Sequence, residues 1–148
     1  MTQITTRKAT INDMATVFSL VKELAVYELA EDQVTTSVEI YERDFSNNIF
    51  DVIVAEMDDE IVGMTLYYMS YSTWKGKMLY LEDFVVRETH RRFGIGQILF
   101  DAYLAEAKTL GANLCKWQVL DWNEPAVKFY EKNNATIEKE WWNVKIIF

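Results

Sequence analysis

The segment of residues 85–97 combines residue types that could bind phosphate, because a predicted strand runs into a loop with two glycines and then into a helix. Glycine lets a backbone approach a ligand closely, and the N–H groups at the start of a helix attract anions. Arg87, Arg91 and Arg92 are three of the five arginines in the chain, and guanidinium groups bind phosphate oxygens through paired hydrogen bonds. The segment therefore predicts a phosphate site. A solvated connection between strand and helix is the alternative.

Two common phosphate motifs are excluded by the residues of this loop. A dinucleotide-binding fingerprint needs a third small residue where Leu99 stands, and a P-loop needs a Gly-Lys-Ser/Thr sequence that is absent. Arg91, Gly94 and Gly96 instead fit the pattern R/Q-x-x-G-x-G/A. The pattern by itself is only moderately specific.

The elements that must position this loop form an α/β pattern with a mixed sheet, antiparallel early and parallel around the central helix. Alternation, helical periodicity and turn residues predict strands at 3–8, 51–57, 60–71, 77–86 and 113–120, and one or two Trp-rich strands in 135–148. Helices are predicted at 14–29, at 37–45, from Gly96 to a stop at Gly111, and from a start at Asn123 with Pro125 in its first turn.

Composition and charge describe one folded domain of 148 residues. Half of the residues are apolar, which excludes a wholly disordered chain, and no apolar stretch approaches the ~20 residues of a membrane span. The formal net charge is −8 and argues against binding a nucleic-acid backbone; the acidic excess lies before Arg87.

One cysteine, Cys115, cannot form an internal disulfide, which favours a reducing cytoplasm. One histidine, His90, and no Cys/His cluster favour the absence of a metal.

Longer segments resemble one enzyme family. The pattern of Arg91, Gly94 and Gly96 resembles the signature of the GNAT superfamily of acetyltransferases. The segments 79–84 (LYLEDF), 93–96 (FGIG), 122–125 (WNEP) and 129–130 (FY), with KELA and YE in the first helix, resemble its diamine (spermidine/spermine) acetyltransferase branch, which includes thialysine acetyltransferases. The likeness runs over nearly the whole chain. It implies a single GNAT domain over 1–148, with a twisted, mostly antiparallel mixed sheet, flanking helices and splayed strands that bind acetyl-CoA.

The resemblance also implies which residues contact acetyl-CoA. Main-chain groups of the strand predicted at 77–86 would contact the pantetheine arm, and one of its N–H groups would stabilise the oxyanion. Amides of the glycine loop would face the pyrophosphate. The start of the last helix would contact the pantetheine arm. In order along the chain these residues are Phe84, Val85, Val86, Arg91, Arg92, Phe93, Gly94, Ile95, Gly96, Gln97, Asn123, Glu124, Pro125 and Ala126.

Catalysis and amine binding are implied in the same way. An alkylammonium, with a pKa near 10.4, must lose a proton before it attacks a thioester, and the resemblance gives Glu82 as the base, acting through water. Tyr130 takes the place of the general acid for the departing thiolate. Side chains of consecutive strand residues point to opposite faces of the sheet. Only one of Glu82 and Asp83 is therefore required to face the site. The implied amine-binding residues are Tyr27, Glu28, Trp74, Glu82, Asp83, Lys116, Trp117 and Gln118.

The substrate class stays open because the chain departs from the polyamine pattern. Ser72 stands where polyamine enzymes carry an acidic residue, Thr73 replaces a proline, and Lys116 would repel a polycation. Thialysine, lysine-like amines or a short diamine therefore fit as well as a polyamine. An acetyltransferase for protein N-termini or lysines, and a non-catalytic acetyl-CoA-binding module, are the alternatives. Family habit implies a homodimer, and neither nucleic acid nor membrane is expected as a partner.

Overall fold

The computed structural model describes residues 3–148, which fall into two compact units. The first unit ends at Trp117 and the second is Gln118–Phe148. None of the helices described between residues 3 and 148 combines the length and the apolar character that a membrane crossing requires.

A five-stranded mixed sheet forms the centre of the first unit. Its strands lie side by side in chain order, antiparallel except for the last pair, which is parallel, as the sequence predicted. They are β1 (Ile4–Lys8), β2 (Asp51–Met57), β3 (Glu60–Ser72), β4 (Gly76–Val86) and β5 (Leu114–Lys116). The fifth strand is shorter than the predicted 113–120.

Three α-helices flank this sheet: α1 (Met14–Tyr27), α2 (Val38–Ser46) and α3 (Ile95–Thr109). Before α1, the Asp13 carboxylate accepts a 2.7 Å hydrogen bond from the Thr10 N–H, which caps the start of the helical segment. Ser37 caps α2 through its hydroxyl oxygen, which accepts from the Ile40 N–H. Helix α3 is the crossover that joins the parallel strands β4 and β5.

Each face of the sheet carries its own apolar core. On one face, Leu79 and Leu81 of β4 pack with Leu99 and Tyr103 of α3. The Tyr103 hydroxyl donates a 2.5 Å hydrogen bond to the Leu79 carbonyl, which fixes α3 to β4. On the other face, the core contains Val52, Val54, Met64, Leu66 and Val85 of the sheet with Met14, Val17 and Leu20, which lie in α1. We call these the α3 face and the α1 face.

The second unit contains one helix, α4 (Glu124–Lys132), with Pro125 in its first turn as predicted. Asn123 is the N-cap residue, as predicted, although its side chain makes no capping hydrogen bond. The predicted strands in 135–148 are also wrong, since that segment has no strand in the structure. A strand is stabilised by pairing and by side-chain burial, whereas Trp142 and Val144 are 88% and 93% exposed.

Candidate active site

The glycine loop has the backbone geometry of an anion site. Arg92 and Gly94 both adopt left-handed conformations, with φ of 76° and 77°, and Gly94 is the N-cap of α3. A left-handed residue followed directly by right-handed ones, as at Gly94 and the start of α3, turns successive N–H groups toward one concavity, a geometry that binds anions. Gly94, being glycine, has no side chain that could cap the first turn of this 15-residue helix. The start of α3 is therefore a favourable place for an anion, and the contact of these loop residues with the pyrophosphate of acetyl-CoA stays a prediction.

The three arginines near the loop have different surroundings. Arg87 does not point to the phosphate position expected from the sequence: its Nη1 donates to Glu23 Oε2 at 3.1 Å and its Nε donates to the Ile61 carbonyl at 3.3 Å. Arg91 lies over the Tyr27 ring at 5.0 Å. Arg92 is exposed. Arg87 and Arg91 thus both make contacts within the protein, and the binding of phosphates by Arg91 and Arg92 stays a prediction.

Strand β4 runs on past its parallel neighbour. It pairs with β5 only at residues 78–80, and continues for six more residues to Val86. The side chains of Phe84 and Val85 belong to the core, since Phe84 stacks on Phe100 with centroids 6.0 Å apart and Val85 is 4% exposed. A ligand at these residues would therefore meet main-chain groups, and the contacts of Phe84, Val85 and Val86 with the pantetheine arm stay predictions.

A β-bulge in β4 corrects the expected orientation of the two acidic residues. Asp83 pairs with Leu66 and Leu81 pairs with Tyr67, so that Glu82 is the extra residue. A bulge of this kind breaks the alternation of side chains. Leu81 lies on the α3 face before it and Val85 on the α1 face after it, which places both Glu82 and Asp83 on the α1 face. The structure thus brings the two carboxylates to one side.

Charge and burial act on this carboxylate pair together. Burial, and then the charges of Glu82 and Glu28, raise the pKa of Asp83 to about 7. Burial also raises the pKa of Glu28. The Tyr68 hydroxyl donates to Glu82 Oε1 at 3.2 Å, and burial with the Glu82 charge raises the pKa of Tyr68 to about 12, so it stays a donor at neutral pH. The site thus holds three carboxylates, one of which titrates near neutrality.

Other residues predicted to bind the amine are placed differently. Lys116 is exposed and pairs with Tyr80, on the same face as Glu82. Trp117 instead packs on the α3 face, edge-on to Phe100 at 5.5 Å, away from the carboxylates. Trp74 lies at the tip of the β3–β4 turn, 83% exposed and roughly 20 Å along the strand from Glu82.

The remaining predicted residues lie in the second unit. Tyr130 is 8% exposed, and its ring is edge-on to that of Phe129 with centroids 5.8 Å apart. Gln118 donates a 2.5 Å hydrogen bond to Asn143, and Glu124 pairs with Lys128 at 3.4 Å. Their contacts with amine or cofactor stay predictions, together with those of Asn123, Pro125 and Ala126.

Sequence reasoning missed two residues that act on this site, Glu23 and Tyr68. Glu23 lies four positions before Tyr27, and residues at this spacing share one side of a helix. The helical spacing could therefore have placed Glu23 beside a predicted site residue. Tyr68 could be linked to Glu82 only through the strand register and the bulge. Among residues 3–148, no group of three or more His, Cys, Asp or Glu side chains is placed to hold a metal ion.

Comparison with known proteins agrees with this geometry. Residues 17–135 match the profile of the Acetyltransferase (GNAT) family, a match that runs across the boundary of the two units. Thialysine N-epsilon-acetyltransferase of Bos taurus is 36% identical over 93% of this chain and 88% of its own. Spermidine/spermine N(1)-acetyltransferase-like protein 1 of Homo sapiens is 31% identical over 87% of this chain and 20% of its own.

A solved structure extends the likeness in three dimensions. An aminoglycoside acetyltransferase from an uncultured soil metagenomic sample has a TM-score of 0.81 and covers 98% of this chain and 96% of its own. At 20% identity, that likeness concerns the fold alone.

Proposed function

Because the chain belongs to the acetyltransferase (GNAT) family and is an acetyl-CoA-dependent N-acetyltransferase, we propose that its acceptor is a primary amine of a small diamine, polyamine or thialysine-like molecule. The observation that carries the proposal is the bulge at Glu82. It gathers two carboxylates on one face of β4, a few residues before the glycine loop on the same strand. A cationic amine and an anionic cosubstrate would then meet along one strand.

The carboxylates supply the acceptor for the amine's proton. Glu82, held by Tyr68, takes the ammonium proton directly or through water, and Asp83, with a pKa of about 7, can hold a proton next to it at neutral pH. The charge of Glu82 also stabilises the ammonium form of the amine, and so it opposes deprotonation. Asp83 offers the proton a second carboxyl group to move to, which eases the transfer. This pair is our candidate for the relay that deprotonates the amine.

The remaining step exchanges a C–S bond for a C–N bond. The neutral nitrogen attacks the thioester carbonyl, the N–C bond forms, and the C–S bond breaks with the electron pair leaving on sulfur. In our proposal Tyr130 gives its phenolic proton to that thiolate and regains one, directly or through solvent, from the nitrogen, which loses its second proton as the amide forms. Atoms and charges balance without another reactant.

Lys116 favours a lysine-like acceptor over a long polyamine. The register of β5 with β4 places Lys116 on the face of Tyr80 and Glu82, where the positive charge of its ammonium would repel a second cationic end. A lysine-like amino acid carries a carboxylate that can pair with this ammonium, whereas a polyamine carries none. Ser72, whose hydroxyl oxygen accepts from the Lys75 N–H at the hairpin turn, offers no negative charge to a distal amine.

An amine panel tests the proposal. The purified protein is incubated with acetyl-CoA and with thialysine, putrescine, spermidine or a basic peptide, and released thiol and acetylated product are measured. We expect the highest kcat/KM with thialysine. Release with the peptide alone would identify a peptide acetyltransferase, and binding of acetyl-CoA without release for any amine would identify a non-catalytic module.

A variant that lacks the Lys116 charge tests the role of this residue in the choice of amine. Lys116→Gln should raise the KM for thialysine and lower the KM for spermidine, because it removes both the pairing and the repulsion. Equal changes for the two amines would remove Lys116 from substrate choice.

We also propose a homodimer that uses the apolar end of the second unit. Trp141, Val144, Ile146 and Phe148 are exposed there, which is unusual for large apolar side chains that no partner covers. A sedimentation measurement that finds only monomer at micromolar concentration would exclude the dimer. A cytoplasmic location stays a prediction from the single cysteine.

A further inference from the structure

Helix α1 holds the glycine loop at two points one helical turn apart. We propose that Glu23 and Tyr27 are positioning residues for this loop, which fix residues 87–91 against α1 so that the loop is arranged for coenzyme A phosphates before they bind. The inference rests on the proposed function only in taking coenzyme A as the ligand of the loop.

Glu23 contacts the start of the loop with both carboxylate oxygens. Its Oε2 accepts from Arg87 Nη1 at 3.1 Å, and its Oε1 accepts from the Glu88 N–H at 3.0 Å. The side chains of Arg87 and Glu23 are 30% and 31% exposed, so the pair is partly shielded from water. A carboxylate that accepts from a guanidinium and a backbone N–H makes two charge-assisted hydrogen bonds.

Arg87 extends this anchor to the sheet. Its backbone N–H donates to the Val62 carbonyl at 2.8 Å, and its Nε donates to the Ile61 carbonyl at 3.3 Å. Its Nη2 donates to the Ser19 hydroxyl of α1 at 3.3 Å. Arg87, the first residue after β4, is thus tied to β3 and to α1 at once.

Tyr27 contacts the far end of the segment. The guanidinium of Arg91 lies 5.0 Å from the centre of the Tyr27 ring, within the range of a cation–π interaction. Arg91 Nε also donates to the Val86 carbonyl at 3.3 Å, which folds the loop back on its own strand. Both ends of residues 87–91 are therefore held.

The left-handed residue that follows shows why the loop needs an anchor. Arg92 has a φ of 76°, a conformation that is unfavourable for a residue with a Cβ and persists only where the surroundings impose it. Without the contacts to α1, the loop would populate other conformations, and the ligand would have to select the competent one. Its apparent affinity would fall by the fraction of loops that are competent.

Binding of coenzyme A, without any amine, tests the inference by titration calorimetry. Glu23→Ala should weaken binding at least fivefold. Glu23→Gln should fall between Glu23→Ala and the wild type, because an amide keeps one acceptor oxygen and turns its NH₂ toward the other donor. Tyr27→Leu should weaken binding about threefold and Tyr27→Phe should not, since an exposed cation–π contact is worth ~0.5–1 kcal/mol and phenylalanine keeps the ring.

Hydrogen exchange of the ligand-free protein provides a second readout, with Glu39→Ala on the exposed side of α2 as the matched control. In Glu23→Ala, we expect faster exchange confined to residues 87–93, and in Glu39→Ala no change in exchange or affinity. Faster exchange throughout α1 and the sheet would mark Glu23 as merely structural and overturn the inference, as would unchanged affinity and exchange in Glu23→Ala.

The two proposals fail in different ways. A wild type that binds coenzyme A but acetylates no amine would contradict the proposed function and leave the positioning role intact. If the wild type did not bind coenzyme A, the exchange measurement alone would decide whether Glu23 holds the loop.

Discussion

Replacing Asp83 by asparagine tests the electrostatics of the carboxylate site. Asp83 is largely buried on the α1 face, near Glu82 and Glu28, and carries a carboxyl whose ordinary pKa is near 3.8. Burial and the neighbouring charges raise that pKa to about 7. Asparagine has nearly the same shape and stays neutral, so Asp83→Asn removes the titration while it keeps the packing.

The sign of the effect follows from proton linkage. An acid whose pKa is higher in the folded state binds more protons when folded, so its contribution to stability is full below its unfolded pKa and is lost as the pH rises toward the folded pKa. A shift of about three pH units corresponds to ~4 kcal/mol at 1.36 kcal/mol per unit, and about 3 kcal/mol of this loss falls between pH 5 and pH 8. The free energy of unfolding of Asp83→Asn should therefore rise relative to the wild type by about 3 kcal/mol over this range.

Urea unfolding at a series of pH values measures this difference. The variant is compared with the wild type at each pH, so titrations common to both proteins cancel. Asp32→Asn, at an exposed position before α2, is the matched control and should differ from the wild type by no more than ~0.5 kcal/mol at every pH. A difference between Asp83→Asn and the wild type that changes by less than ~1 kcal/mol from pH 5 to pH 8 would refute the account of Asp83.

Three other substitutions test the reaction and the packing. Tyr130→Phe should lower turnover at least tenfold while acetyl-CoA binding persists, since general acid help is worth ~10²–10⁴-fold; unchanged single-turnover rates would remove Tyr130 from the mechanism. Tyr68→Phe removes the hydrogen bond to Glu82, and because such a bond to a charged group is worth ~1.5–3 kcal/mol, kcat should fall at least tenfold with the Kd of coenzyme A unchanged; an equal loss of cosubstrate affinity would argue for a wider structural effect. Gly63→Ala should destabilise the fold by ~1–3 kcal/mol in urea unfolding, because the new Cβ would lie 2.9 Å from the Val85 carbonyl oxygen; a stability equal to that of the wild type would show that β3 and β4 can separate there.

Local patterns in the sequence predicted most of the first unit. Alternating apolar residues and the Asp58-Asp59 turn placed the hairpin of β2 and β3, and both aspartates adopt the left-handed conformation that such a turn requires. Helical spacing placed α1 and α3, and the two glycines placed the glycine loop at the start of α3. These features follow from interactions between residues close in the chain, which a sequence displays directly.

Long-range pairing decided what the sequence could not display. The bulge at Glu82 depends on the register between β3 and β4, and it reverses the expectation that Glu82 and Asp83 face opposite sides. The same holds for Arg87, which the sequence grouped with the phosphate arginines and the structure pairs with Glu23, 64 residues earlier.

At the end of the chain, the sequence predicted elements that do not form: its Trp-rich residues indicated strands, and residues 135–148 contain none. Strand propensity records only that a side chain suits a pleated, half-buried surface, and a strand forms where a partner supplies that surface. The sequence by itself thus determined the strands and helices of the first unit and the position of the glycine loop. Tertiary structure decided which carboxylates meet and which arginine anchors the loop, because register and burial arise from segments that come together only in the folded chain.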